Sequence, residues 1–322
     1  MKLFSIANFI LGGMTAVLIS SCQMINEDFP ACPESPGAEF QFKYDYNIDL
    51  RDKLTESVHC ITVYVFDERG LLAGSVSNAG NTLISTGYKT KMNLPAGRYH
   101  AVAYGGMACN KASFHHPIAV YKGMDFDLLE TQINDECISP MKPASALHDL
   151  FFGSADFETD GKDVIPVTIS FVRDTNHLGL TLRSSDSSDI ALSRYSFSLT
   201  DANSKLDNAN NLSSTKVISY LPYSVYRVNN SSVKADFSTS RIYADKSVKP
   251  LITVTDNETG ETVLTISPLS YMFLYKDTFV KYNMSDQEYL DRASDWEFVF
   301  YMNPDGTPDL SRIIINGWET NI

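Results

Sequence analysis

Five cysteines and six histidines carry the most distinctive chemistry in this 322-residue chain. A thiol can close a disulfide, ligate a soft metal or accept a lipid. Cys22 differs from the other four in its surroundings, because it follows Ile19-Ser20-Ser21 at the end of an apolar run that begins at Leu3. Cys32, Cys60, Cys109 and Cys137 lie further on, all in the first half of the chain. No CxxC occurs and neighbouring members of this set of four are separated by 27 residues or more, which is poor spacing for a zinc site. The histidines are His59, His100, His115, His116, His148 and His177. Only His115 and His116 adjoin, and on a strand they point to opposite faces, so a shared metal would need a special loop. Two acidic clusters, Asp256-Asn257-Glu258-Thr259-Gly260 and Asn303-Pro304-Asp305-Gly306-Thr307-Pro308-Asp309, offer oxygens of the kind calcium takes. Neither has EF-hand spacing, and their Gly and Pro read equally well as hairpin turns. Gly-x-Ser-x-Gly, HExxH and a phosphate-binding glycine loop are all missing. The 39 acidic residues single out no facing pair of the sort a glycosidase needs. The residues therefore define no catalytic, cofactor-binding or metal-ligating set.

Residues 1–21 explain the odd cysteine count. Lys2 is the only charge before Glu27, and the run from Leu3 to Ile19 is interrupted by Asn8, Gly12 and Gly13. A basic start, an apolar middle and small residues at the end make a secretory signal. The cysteine directly after Ser20-Ser21 matches a bacterial lipobox, in which Cys22 is acylated with palmitate-type chains and becomes the mature amino terminus. An ordinary signal peptide with an incidental cysteine is the alternative; a transmembrane helix fits less well, being marginal in length and polar at its end. Each buried methylene contributes about 0.8 kcal/mol, so two or three acyl chains hold a soluble domain at a membrane. The four remaining cysteines form an even set, read in an oxidising compartment as two disulfides with three possible connectivities.

The net charge of −13 argues against nucleic acid and anionic lipid surfaces as partners. Hydrophobic residues at 43% are enough for real cores, and aromatics at 11% favour strands. Phe40 to Ile48 alternates apolar and polar at period two, the pattern of a half-buried strand. Ile61–Phe66 follows, closed by Asp67-Glu68-Arg69-Gly70, a turn sequence. Further strands are expected at Tyr99–Tyr104, Val164–Val172, Leu178–Leu182, Tyr195–Thr200, Leu251–Thr255, Val263–Ile266, Trp296–Met302 and Ile313–Ile315. Helix is scarce. Ser285-Asp286-Gln287-Glu288 is a capping box flanked by Met284 and Tyr289, predicting a helix over 286–292. Pro143–Leu150 offers another turn or two. Phe157-Glu158-Thr159-Asp160-Gly161-Lys162-Asp163 is the best linker, dividing residues 22–160 from 161–322. The class is all-β, with two antiparallel sandwich domains behind the signal peptide 1–21.

Several segments in order resemble one known family. They are Asp28-Phe29-Pro30-Ala31-Cys32, Tyr44-Asp45-Tyr46-Asn47, Val63-Tyr64-Val65-Phe66-Asp67, Leu94-Pro95-Ala96-Gly97-Arg98-Tyr99, Val102-Ala103-Tyr104-Gly105-Gly106 and Leu150-Phe151-Phe152-Gly153. Arg173-Asp174-Thr175-Asn176, Gln287-Glu288-Tyr289-Leu290-Asp291-Arg292 and Ile313-Ile314-Ile315-Asn316-Gly317-Trp318 complete the set. Together they look like the FimB/Mfa2 family of fimbrial subunits. Glu27-Asp28 just past Cys22 also resembles the surface-export signal of Bacteroidetes lipoproteins. The resemblance implies an outer-membrane lipoprotein, exposed at the cell surface, with two transthyretin-like domains. It implies a non-enzymatic anchor at the base of a fimbria, whose partners are stalk and accessory subunits joined by β-strand complementation. In that scheme a stalk subunit loses its first strand by cleavage after a basic residue, and a neighbour's strand fills the gap. Arg51 and Lys53 stand where such a cut would fall, although an anchor keeps its own amino terminus. Ile313–Trp318 is then a core strand rather than a donated one. The competing readings are a polymerising stalk or tip subunit, and a surface glycan-binding lipoprotein using Tyr220, Tyr223 and Tyr226.

Overall fold

The computed structural model describes residues 35–78, 85–280 and 283–321, so the signal segment 1–21, Cys22 and Cys32 lie outside the described residues. Period-two alternation becomes strand nearly everywhere it was read. The first layer is a three-stranded sheet, Lys89–Asn93, Gly37–Lys43 and Val164–Ser170 in that spatial order. Its central strand runs antiparallel to the first and parallel to the last. The second layer is a five-stranded antiparallel sheet in the order Val172–Arg173, Phe151–Thr159, Gly97–Gly105, Ile61–Asp67, Leu72–Asn78. Between the layers Phe40, Phe42, Val63, Val65, Ala101, Ala103, Val167 and Ile169 form one apolar cluster. Ala101 and Ala103 stand opposite Val65 and Val63 in the register, so small residues admit the aromatic rings of the facing sheet. Gly153 is required there, because a Cβ on it would run into the Ser170 carbonyl oxygen.

The second half repeats the design with larger sheets. Ser224–Asn229, Ser232–Ser240, Thr175–Ser184, Asp295–Met302, Pro308–Ile315 and Trp318–Asn321 form a six-stranded sheet. Leu178, Leu180 and Leu182 lie opposite Trp296, Phe298 and Phe300 across a parallel pairing, and opposite Phe237, Ala235 and Val233 on the other side. Ile218–Tyr220, Tyr195–Asp201, Leu251–Asp256 and Thr262–Ile266 form the facing four-stranded sheet. A small sheet joins Phe114–His115 and Thr131–Ile133 from the first half with Lys205–Leu206 from the second. The larger apolar cluster likewise runs from Phe66, Val102 and Tyr104 through Leu180 and Phe237 to Ile315. The protein is thus an all-β sandwich fold. Among the described residues no helix is long and apolar enough to cross a membrane.

Three expectations about elements are corrected. The first strand ends at Lys43, not Ile48. The Asn47 amide donates to the carbonyls of Tyr44 and Arg51 (2.7 Å each), and Tyr44 and Leu54 donate their N–H groups to Asp52 (3.0 Å each). Side-chain hydrogen bonds to the backbone close residues 44–54 into a loop, and that closure overrides the alternation. Pro143–Leu150 contains no helix. A twelve-residue helix, Pro268–Phe279, occupies a stretch with no helical expectation. Pro268 fits its first turn, where a missing N–H costs nothing, while Tyr271, Phe273, Leu274 and Tyr275 are all half-buried, so no polar face betrays a helical period.

The amino-terminal strand and its clamps

Gly37–Lys43 is the strand on which the assembly question turns. Ala38, Phe40 and Phe42 face the core, and Phe40 is fully buried. Phe40 meets Phe157 edge-on at 5.7 Å, and Phe42 stacks on Phe171 at 5.7 Å. Gly37 donates to the Asp163 carbonyl (3.1 Å), and Lys43 accepts from Phe171 (2.8 Å), so both ends are tied to the chain around Val164–Ser170. Removing this strand would split the three-stranded sheet and open one side of the cluster.

Arg51 and Lys53 sit in the loop that follows. Arg51 pairs with Glu56 and Lys53 with Asp49, and Lys53 donates its N–H to the Tyr44 carbonyl (2.9 Å). The loop is also held from the far half of the chain. Ile48 donates to the Arg292 carbonyl at 2.9 Å, and the Arg292 guanidinium lies 3.9 Å from the centre of the Tyr46 ring. An extended segment, as a protease cleft would require, is not the conformation here.

The helix behind that clamp is Asp286–Arg292, as its capping box requires. Ser285 accepts from the Glu288 N–H at 3.1 Å, while the Glu288 carboxylate takes the Arg292 guanidinium at 2.9 Å. Asp291 receives Arg241 through two bonds of 2.8 Å, and Gln287 donates to Asp291 (2.9 Å) and accepts from the Ala244 N–H (2.9 Å). Tyr289 meets Trp296 edge-on at 5.6 Å. The polar residues of Arg173-Asp174-Thr175-Asn176 are engaged in the same way. Asp149 gathers Arg173 (3.0 Å), Thr175 (2.7 Å) and His177 (3.1 Å) onto a single oxygen. Asp174 is fully buried, accepting from Asn210 at 2.9 Å. Both motifs act as fasteners, and their charges are consumed by the fold.

The other singled-out residues resolve individually. Cys60 and Cys109 form a disulfide across a sequence separation of 49. Cys137 is a free, half-buried thiol among the described cysteines, and burial pushes its pKa up. His115 binds the Asn134 side chain (2.6 Å) and His116 the Glu130 carbonyl (2.7 Å), so the pair does diverge. Among the described residues no three His, Cys, Asp or Glu side chains converge as metal ligands. Asp256 accepts from the Glu258 N–H (2.8 Å) and Arg194 (3.1 Å), Asp305 from Thr307, and Asp309 from Ser311, which is the hydrogen bonding of turns. Tyr220 is buried with its hydroxyl donating to Asn203 (2.8 Å), while Tyr226 is exposed, so these tyrosines form no shared platform. Ile313 and Ile315 are fully buried between Asp295–Met302 and Trp318–Asn321.

The fold and this site define an all-β sandwich protein whose first strand is seated in its own sheet. The chain belongs to the family of fimbrillin-A associated anchor proteins Mfa1 and Mfa2, whose model matches residues 30–322. Membership places it among fimbrial and adhesin-type surface proteins, a family of structural components that interact with other fimbrial subunits. Comparison with curated proteins finds no match. Among solved structures, a candidate adhesin from Bacteroides thetaiotaomicron is 27% identical, with a TM-score of 0.81 over 91% of this chain and 100% of that one. A candidate polysaccharide-binding protein from the same organism is 24% identical, with a TM-score of 0.78 over 89% of this chain and 98% of the other. The fimbrial anchor protein Mfa2 from Porphyromonas gingivalis shares the fold at 16% identity, with a TM-score of 0.68 over 89% of this chain and 99% of its own.

Proposed function

We propose that this protein is a non-enzymatic anchor subunit, held in the outer membrane by lipid on Cys22 and receiving fimbrial subunits by β-strand complementation. The observation that carries the reading is the seating of Gly37–Lys43. That strand is central in its sheet, buried on its core face and followed by a loop clamped through Tyr46 and Ile48 to Arg292. A subunit that keeps its first strand keeps whatever is attached ahead of it. Fourteen residues separate Cys22 from Gly37, a tether reaching at most about 50 Å. We further propose two sandwich domains, with the first extended from residue 160 to Arg173 because Val164–Ser170 pairs with Gly37–Lys43.

The test is the intact mass and amino-terminal sequence of the protein taken from native membranes, together with fractionation of Cys22→Ala. Acylated Cys22 in the wild type, and release of the variant from membranes with its fimbriae shed, are the expected results. A mature amino terminus beyond Arg51, or unchanged membrane retention of the variant, would overturn the anchor reading.

A further inference from the structure

The five-stranded sheet carries a groove of about 620 Å³ on the face turned away from Gly37–Lys43. The register sets Phe66 opposite His100, His100 opposite Asp156, and Arg98 opposite Glu158. Side chains two apart share a face, so these residues present together, with Glu68 at the rim. Phe66 is the buried floor and Phe126 the wall. The Phe126 N–H donates to the Gly70 carbonyl (2.8 Å), its own carbonyl accepts from Asn208 (3.2 Å), and its ring lies 4.9 Å from Phe66 and 5.0 Å from His100. The aromatic wall is therefore fixed before anything binds. His100 uses Nδ1 on Asp156 at 2.6 Å, which leaves Nε2 for an outside acceptor or donor. Among the described residues, the side chains of Glu68, Arg98 and Glu158 have no hydrogen-bond partner.

The volume suits a small-ligand site, and an apolar floor ringed by a few polar groups is the usual construction. The polar groups decide the ligand class. A cation would meet Arg98, and an anion would meet the carboxylates of Glu68, Asp156 and Glu158. A hydroxyl both donates and accepts, so a neutral polyol satisfies the guanidinium, the imidazole and the carboxylates at once. Its C–H face supplies the apolar partner for Phe126. We propose that this groove binds a neutral oligosaccharide. The site is independent of lipid attachment and of the strand Gly37–Lys43, so its failure would leave the anchor reading standing.

The experiment probes an array of neutral oligosaccharides with the purified full chain, with heparin fragments and oligolysine as charged comparisons. Neutral glycans are expected to bind in preference to either charged probe. Phe126→Ala and Glu158→Gln are each expected to weaken that binding at least tenfold, and Tyr226→Ala, outside the groove, to leave it unchanged. Glu158 is exposed, so its substitution keeps the test valid should Phe126→Ala fail to fold. Absence of any neutral binder, stronger retention of a charged probe, or binding indifferent to Glu158→Gln would each overturn the assignment.

Discussion

Asp149 and Asp174 flank Arg173, yet their surroundings drive them in opposite directions. Burial raises the Asp149 carboxyl, but His177, Arg173 and Thr175 outweigh it and hold the pKa down at about 2. The stability from that carboxylate is complete above its ordinary value of 3.8 and is lost as pH falls through about 2. Asp149→Asn should therefore cost about 2 kcal/mol near neutrality and almost nothing at pH 2. Denaturant melts at the two pH values measure this, and an equal gap at both would contradict it. Asp174 is the reverse case. Burial drives its pKa up to about 7 against the pull of Arg241, and its Oδ2 has no hydrogen-bond partner among the described residues. Its favourable contribution is complete below 3.8 and lost as pH rises through about 7. Asp174→Asn keeps the side chain neutral throughout, so the variant should gain on the wild type between pH 5 and pH 8. Thermal melts that show a constant difference across that range would refute the assignment. Neither role was legible in the sequence, where both residues are simply acids in a charged fraction of 20%. Their difference comes from the partners that folding brings to them, from Arg173, 24 positions beyond Asp149, to Arg241, far beyond Asp174 in the chain.

Elements were legible where their determinants are local. Ser285 and Glu288 specify a helix start within four residues, and Asp286–Arg292 forms on those bounds. Ser285→Ala should cost about 1 kcal/mol, the usual worth of a cap. Asp291→Ala should cost more, about 3–5 kcal/mol, because it takes from the largely buried Arg241 the carboxylate bonded to it twice, leaving Asp174 at 3.8 Å. Urea titration of the two variants tests the order; a cap substitution costlier than Asp291→Ala would mean that the helix, not its docking, is the weak link. Long-range closure explains what the sequence did not disclose. Tyr44, Tyr46 and Ile48 keep a strand-like alternation, but Tyr44 packs on Phe151, Tyr46 under Arg292, and Ile48 bonds to the helix end. Tyr44 is buried, Tyr46 half-buried and Ile48 exposed, with Asn47 buried between them, so the alternation there marks neither a paired strand nor a continuous buried face. The groove was equally hidden. Phe126 reaches Phe66 and His100 only through the 3-10 turn at Phe126–Leu128, and no local pattern connects those three positions.

At the scale of the whole molecule, the two halves share structure that a linear division at residue 160 does not anticipate. Phe66, Val102, Tyr104 and Phe152 extend the core of the second half onto the outer face of a first-half sheet. Phe114–His115, Thr131–Ile133 and Lys205–Leu206 then pair across the same junction. Exposing that shared apolar surface by unfolding one half alone would cost about 25 cal/mol for each Å². Both halves should therefore unfold together, in one calorimetric transition whose van't Hoff and calorimetric enthalpies agree. The disulfide sharpens the test, because Cys60 and Cys109 lie in the first half only. Opening a loop of 49 residues restores denatured-state entropy worth about 4 kcal/mol on the chain-entropy model. Cys60→Ser with Cys109→Ser should lower the single transition by roughly 6 °C while leaving it single. Two resolved transitions, with only the lower one displaced, would show that the shared core is too weak to couple the halves. The two halves would then unfold one after the other.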